Sequence, residues 1–211
     1  MTNVSLRKLP KQARALARFE LILDHAEAMI SETGFENLKM NDLARRAEVN
    51  IASIYQYFPN RAVVARAIVE RHFEAYRKEL NENLGIFYSG VSASADAMET
   101  VNELIDNILT HYYQFLKDRP TFFSTWGTVR GNPDFMELNM ADSKANAAIL
   151  AEAMIGSGVN VDKKELNQAL FLVCELTEPF MQTLMHSKPS EVKGLMKHYK
   201  LMLSQYFLAL E

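Results

Sequence analysis

The 211-residue chain is 48% hydrophobic and 23% charged, a balance that folds rather than stays disordered. Residues 1–78 hold 13 Lys and Arg against 9 Asp and Glu, while the remainder holds 10 against 17, so a basic front precedes an acidic body within a net charge of −3. No apolar run of about 18 residues is present, so no membrane span is expected, and the single cysteine, Cys174, excludes an intrachain disulfide.

The basic N-terminus has no apolar block followed by a small-residue cleavage site, so a cytoplasmic location is expected. From there on the pattern is helical. Proline and glycine are sparse, at 6 and 8 residues, and no alternating run bounded by turn residues marks a hairpin. Over about residues 12–33, Phe19, Leu23, Ala26 and Ile30 recur at four, three and four, and Gly34 follows where a helix C-terminus belongs. Lys11, Arg14 and Arg18 occupy the other side. A short helix is expected at about 41–47, with Asn41 as its cap and Leu43, Ala44 and Ala47 inward. The stretch "EVN" makes a turn, and a helix of about two turns runs from Ile51 to Phe58 until Pro59 stops it. Asn60 then caps a helix over roughly 61–83, striped by Val69, Phe73, Tyr76, Leu80 and Leu84.

Further along, a helix near 95–117 ends at "KDRP", the short aromatic segment "TFFSTWGTVRG" comes next, and another helix runs at about 133–155. Asp162 with Glu165 three residues on is a capping-box signature for a helix over about 163–186, which Pro179 should kink. A last helix starts at "KPSEV" and carries a broad apolar stripe through Leu210. The fold expected is all-α.

Two short helices joined by three or four residues and packed on an amphipathic helix form a helix-turn-helix pattern. Ile54 and Phe58, with Val49, supply the inward face of the second helix, which leaves Asn50, Ala52, Ser53, Tyr55, Gln56 and Tyr57 largely outside. That outer set suits a major groove. Small Ala52 and Ser53 permit close approach, Gln56 can pair with adenine through two hydrogen bonds, and Tyr hydroxyls reach phosphates or base edges. Tyr55 and Tyr57 are two apart and cannot share one helical face, so at least one must be exposed. Arg61, opening the next helix, can hold a phosphate.

The stretch "MNDLARRAEVNIASIYQYFPNR" resembles the DNA-binding signature of the tetracycline-repressor (TetR) family of bacterial transcription regulators. Leu43-Ala44, Ala47, Val49, Ser53-Ile54-Tyr55, Tyr57-Phe58 and Arg61 carry the match, and "ILDHAEAMISETGFENLKM" is similar to the family's first helix and its "GF" turn at Gly34-Phe35. The resemblance covers about residues 14–75. It implies a helix-turn-helix domain over 1–61, in which Arg14, Arg18, Lys39, Asn50, Ile51, Ala52, Ser53, Tyr55, Gln56, Tyr57 and Arg61 face a double-stranded operator. Two departures stand out. Glu48 replaces the usual Gly, so that turn residue is expected not to need a positive φ, and its charge lies close to the DNA face. Met40 replaces the usual hydroxyl residue, with Lys39 beside it to compensate.

The resemblance also implies a helical domain over 62–211 that binds a small molecule and forms a homodimer. The middle region offers large pliable side chains for an apolar or aromatic effector, and His111, Tyr112, Phe115, Phe123, Trp126, Arg130, Met136, Met140, Phe171, Glu175 and Glu178 are the candidates. Asn139 is a further polar candidate. Glu175 or Glu178 would suit a cation, and Arg130 or His111 an anion; the sequence leaves both open. For the dimer, Leu166, Leu170, Val173 and Leu184 on one late helix, and Leu195, Tyr199, Met202 and Tyr206 on the other, are expected to pair with their mates as a four-helix bundle.

The function expected is a ligand-responsive regulator, a repressor released from a palindromic operator by its effector. An enzyme is a poor alternative: the five histidines at 25, 72, 111, 186 and 198 show no metal spacing, and no Gly-rich phosphate loop or nucleophile elbow appears. No metal or cofactor is therefore expected. The other alternative is an all-helical interaction protein of the same fold without DNA binding.

Overall fold

The computed structural model describes residues 12–90, 96–129 and 133–210, and among these it contains helices and turns but no strand. In chain order the helices are α1 (Ala13–Thr33), α2 (Met40–Arg46), α3 (Ile51–Tyr57), α4 (Arg61–Gly90), α5 (Ala97–Lys117), α6 (Pro120–Val129), α7 (Pro133–Gly156), α8 (Lys163–His186) and α9 (Pro189–Leu208), with a single 3-10 turn at Phe35–Asn37 after α1. The chain divides into two compact units. Unit 1 comprises Met1–Ala75 and Arg119–Leu138, and unit 2 comprises Tyr76–Asp118 and Asn139–Glu211. Unit 1 therefore extends past residue 61 and takes in α6 as well.

In unit 1, the spacing of apolar residues on α1 puts Phe19, Ile22, Leu23, Ala26 and Ile30 in the core. Gly34, at φ 84°, ends the helix, and its N–H bonds the Ile30 carbonyl at 2.8 Å. Helix α2 begins one residue earlier than its sequence suggests. Lys39, extended at φ −105° and ψ 130°, occupies the N-cap position, and its carbonyl accepts the Leu43 N–H at 3.0 Å. Asn41 is consequently an exposed first-turn residue and not the cap. Asn50 caps α3 by accepting the Ala52 N–H, and Asn60 Oδ1 accepts the Val63 N–H at 3.0 Å.

The segment expected as a short aromatic stretch is helix α6, and it packs on α1. Phe122 stacks on His72 with ring centroids 4.4 Å apart, and Trp126 meets Phe73 edge-on at 5.3 Å.

In unit 2, α5 packs on α9 and α8 packs on α9. Phe180 stacks on Tyr199 at 4.0 Å, and the Thr177 and Tyr199 hydroxyls are 2.9 Å apart. Asp162 caps α8 by accepting the Lys164 and Glu165 N–H groups. Pro179 lies inside an unbroken α8. Helix α4 runs through Gly90, past the expected end near 83, because its last turns have partners: Leu84 is buried and the Tyr88 hydroxyl meets Ser157 at 2.7 Å.

Helix α7 buries Ala147, Ala151 and Met154 and takes polar side chains inward with them. Its Ser143 and Asn146 are buried and Asn139 and Asp142 half-buried, while Met136 and Met140 are exposed.

Candidate functional site

The outer face of α3 is built as the spacing suggests, with one correction. Asn50, Ala52 and Gln56 are exposed, Tyr55 keeps 43% of its surface, and Ile51 and Ser53 are half-buried. Tyr57, expected outside, is only 8% exposed: its ring lies edge-on to Phe19 at 5.7 Å and beside Phe58 at 6.1 Å. The two-residue offset between Tyr55 and Tyr57 sends one ring out and the other into the core, where an aromatic side chain finds apolar neighbours.

The turn before α3 carries a second correction. Glu48 sits at φ 53°, the one left-handed non-glycine among the described residues, although its side chain was expected to remove the need for a positive φ. The tight connection requires that backbone whatever residue occupies it, since the Val49 N–H must reach back to the Ala44 carbonyl at 3.0 Å.

Around this face the cations differ in commitment. Arg14, Arg18 and Lys39 are exposed. Arg61 is engaged with the Glu36 carboxylate and carbonyl and lies over the Phe35 ring at 5.0 Å. Arg46 holds Glu32, and Arg45, a residue the spacing did not single out, reaches solvent beside Asp42.

A polar knot ties α1, α4 and α6 of unit 1 together. Arg71 on α4 bonds Glu20, Asp24 and Glu27 on α1, at 3.1, 2.6 and 2.6 Å. His72 Nε2 lies 2.7 Å from Glu27, and the Thr121 hydroxyl of α6 donates to the same carboxylate at 2.9 Å. Burial pushes the Glu27 carboxyl up, but His72, Thr121 and Arg71 outweigh it and hold it below its ordinary range.

The effector candidates fall into two groups. Phe123 and Trp126 belong to unit 1, where Trp126 is core packed on Phe73. Met136, also in unit 1, and Met140 in unit 2 are exposed, at 60% and 38%. Arg130 lies outside the described residues. In unit 2, His111, Tyr112 and Phe115 of α5 surround Tyr76 of α4, with centroids 6.1, 4.7 and 5.1 Å away. Glu175 of α8 accepts from the Asn139 amide at 3.1 and 3.3 Å, Phe171 lies under the Lys144 ammonium, and Glu178 accepts from Gln182 at 2.7 Å.

Three residues of this interior escaped the sequence reading: Arg77, Asp142 and Asn146. Arg77 pairs with Asp142, whose other oxygen accepts the Asn146 amide at 2.9 Å. Arg77 and Asp142 are 65 positions apart, so no spacing links them. Burial raises the Asp142 carboxyl to about 6 against the pull of Arg77 and Asn146. Burial, with Asp142 and Glu175 nearby, pushes the Cys174 thiol up to about 12, so it stays protonated and unreactive at neutral pH.

The late helices correct the expected interface residues. Leu166, Leu170, Val173 and Leu184 on α8, and Tyr199 on α9, are buried within this chain. Leu195 is half-buried, and Met202 and Tyr206 are exposed. The apolar side chains that α8 and α9 leave in solvent are Leu172, Leu176, Leu201 and Leu208 with Met202 and Tyr206. The missed signal was periodicity: an apolar stripe wide enough to cover both faces of a helix contains one face for its own core.

Among the described residues no helix is long and apolar enough to cross a membrane, and no group of three or more His, Cys, Asp or Glu is placed to hold a metal ion.

Comparison with known proteins converges on one family. Residues 22–68 match the family model described as bacterial regulatory proteins, tetR family, and residues 99–211 match that of the tetracyclin repressor-like C-terminal domain. The chain is 30% identical over 112 residues to the HTH-type transcriptional repressor NemR of Escherichia coli K12, covering 53% of this chain and 48% of NemR. It is 34% identical over 77 residues to the HTH-type transcriptional repressor KstR of Mycolicibacterium smegmatis, covering 35% and 37%. The chain thus spans about half the length, or less, of these relatives. A putative TetR-family regulator from Mesorhizobium loti MAFF303099 shares the fold, with a TM-score of 0.62 at 15% identity over 94% of this chain and 98% of that one. With one of these models matching more than half of its length and the helix-turn-helix matching the other, the chain belongs to the TetR family of bacterial regulatory proteins.

Proposed function

We propose that the protein is a ligand-responsive DNA-binding transcriptional repressor that holds a palindromic operator as a homodimer. The observation that carries this reading is α3: its outer side, exposed at Asn50, Ala52, Tyr55 and Gln56 with Ser53 half-buried, is narrow and polar, and its other side is anchored by Ile54 and Phe58, both fully buried. A rigid short helix with a narrow polar edge suits a major groove. Exposed Arg14, Arg18 and Lys39 supply phosphate contacts, and Arg61 joins them by exchanging Glu36 for a phosphate. The Glu48 charge trims affinity for every sequence alike.

Two helices must reach successive grooves about 34–36 Å apart, which calls for a two-fold pair of chains. The exposed apolar residues of α8 and α9 support a four-helix interface, now assigned to Leu172, Leu176, Leu201 and Met202. Helix α4 contributes residues to both units. An effector held in unit 2 that favours one position of α4 weakens DNA binding by its differential affinity for the two states.

Selection from a random duplex pool tests the reading. The wild type should enrich an inverted repeat, with affinity falling steeply as salt rises. Gln56→Ala should relax one position of each half-site, at about 1–3 kcal/mol per lost base contact. Arg14→Ala and Arg18→Ala should each lower the salt slope by about 1 with the motif unchanged. A folded protein that enriches no motif, and whose Ser53→Glu variant behaves identically, would instead be a helical interaction protein of this fold.

A further inference from the structure

The interior of unit 2 is unusual for the polar atoms it leaves without partners. Asn83 Oδ1, Asn107 Oδ1, His111 Nδ1 and Asn146 Oδ1 are buried and make no hydrogen bond. Each such atom has given up its water and stands as a cost to the fold unless something answers it. Asn146 is the clearest case. It is 8% exposed, and its amide nitrogen is committed to Asp142, which fixes the amide's orientation and leaves a carbonyl oxygen as the unanswered group.

Charge in this region is also unbalanced. Arg77 is matched by Asp142. Glu175, half-buried, receives only the neutral Asn139 amide, and no cation is paired with it among the described residues. Asn139, Asp142 and Asn146 follow one another at three and four along α7, on a single inward face. The seven-residue step from Asn139, Glu175's partner, to Asn146 spans about 10 Å of helix. Tyr76 directly precedes Arg77, the partner of Asp142, and burial, with Asp142 nearby, raises its phenol, so its ring belongs to the same interior.

Resting on the effector reading above, we propose that unit 2 takes an aromatic organic cation with two polar ends about 10 Å apart, an ammonium neutralised by Glu175 and a hydroxyl or N–H that donates to the Asn146 carbonyl oxygen. An aromatic frame between those ends is suited to the ring of Tyr76 and its α5 neighbours. An anion is disfavoured, because it would meet Glu175 and the amide oxygens, and the arginine beside them, Arg77, is already matched by Asp142.

The probe is 4′-(aminomethyl)biphenyl-4-ol, compared with its hydroxymethyl and carboxymethyl counterparts, on the full chain by calorimetry and duplex release. The ammonium compound should bind at least tenfold more tightly than either counterpart. Glu175→Gln should erase that preference while the hydroxymethyl compound binds as before, which shows that the variant is folded. Removing the phenolic hydroxyl alone from the ammonium compound should weaken binding several-fold in the wild type. Equal binding of all three compounds, tighter binding of the carboxylate, or no binding at all each overturns the proposed class. Duplex release by compounds bound without charge preference would leave the effector reading standing. Tight binding of the ammonium compound without any change in duplex affinity would sink the effector reading and keep the cation site.

Discussion

Units 1 and 2 both bury a carboxylate against an arginine of α4, and they treat it in opposite ways. Glu27 has Arg71, His72 and Thr121 gathered around it, so its charge is answered from two other helices. Asp142 has Arg77 and Asn146, but Asn146 itself ends in an unpartnered oxygen, with three more such atoms in the same unit. Unit 1 leaves one, the Thr125 hydroxyl, among the described residues. A closed network serves as structure, whereas an open one carries a standing cost that a ligand can remove. The difference teaches where to look for function: in the polar groups the fold does not satisfy.

The largest effect expected from breaking this contrast is at Glu27. Glu27→Gln keeps an acceptor for Thr121 and leaves Arg71 its pairs with Glu20 and Asp24, but removes the buried carboxylate that closes the network, and should cost about 3 kcal/mol in urea unfolding. The wild type should also lose that contribution in acid. The carboxyl titrates below its unfolded value near 4.5, so the stabilisation is complete above that pH and disappears as pH falls through the lower folded value.

Asp142 should show the reverse sign. Its carboxyl is raised from 3.8 to about 6, so the folded chain binds more protons between those values and stability falls as pH rises through them. Measured against Asp142→Asn, the decline should total about 2–3 kcal/mol and level off above pH 6. A profile rising with pH would show that Arg77 dominates over burial.

A smaller effect, and an unusual direction, is expected at Asn107. Replacing an unanswered amide with Leu should stabilise the empty protein by about 1 kcal/mol in thermal melts. Glu48→Gly should be smaller still. Relief of the left-handed backbone is worth about 1 kcal/mol and is partly offset by the freer unfolded chain. Its clearer readout is tighter duplex binding at low salt, as one negative charge leaves the turn.

Much of the contrast's framework was legible in the chain. The four-three-four spacing from Phe19 to Ile30, the cap at Asn60 and the stop at Pro59 are local events, and local physics decides them. Tyr57 was misjudged because two residues of separation guarantee different faces without saying which faces inward. Helix α6 reads as a loose aromatic stretch because its partners, α1 and the first half of α4, are about 50 or more positions away. The late-helix leucines were placed outward because a helix apolar on two sides gives no sign of which side meets its own chain. On α7 the sequence singles out Asn139 alone as a polar candidate; Asp142 and Asn146 are recognised only through tertiary partners, and the unpartnered oxygen of Asn146 exists only in that packing.

Helix α4 has a genetic consequence. It is a single 30-residue rod, with Arg71 and His72 on one stretch and Tyr76 and Arg77 on the next. On the proposed repressor reading, a screen for alleles that ignore the effector should recover changes along the whole helix, and many should also alter operator binding when no effector is present.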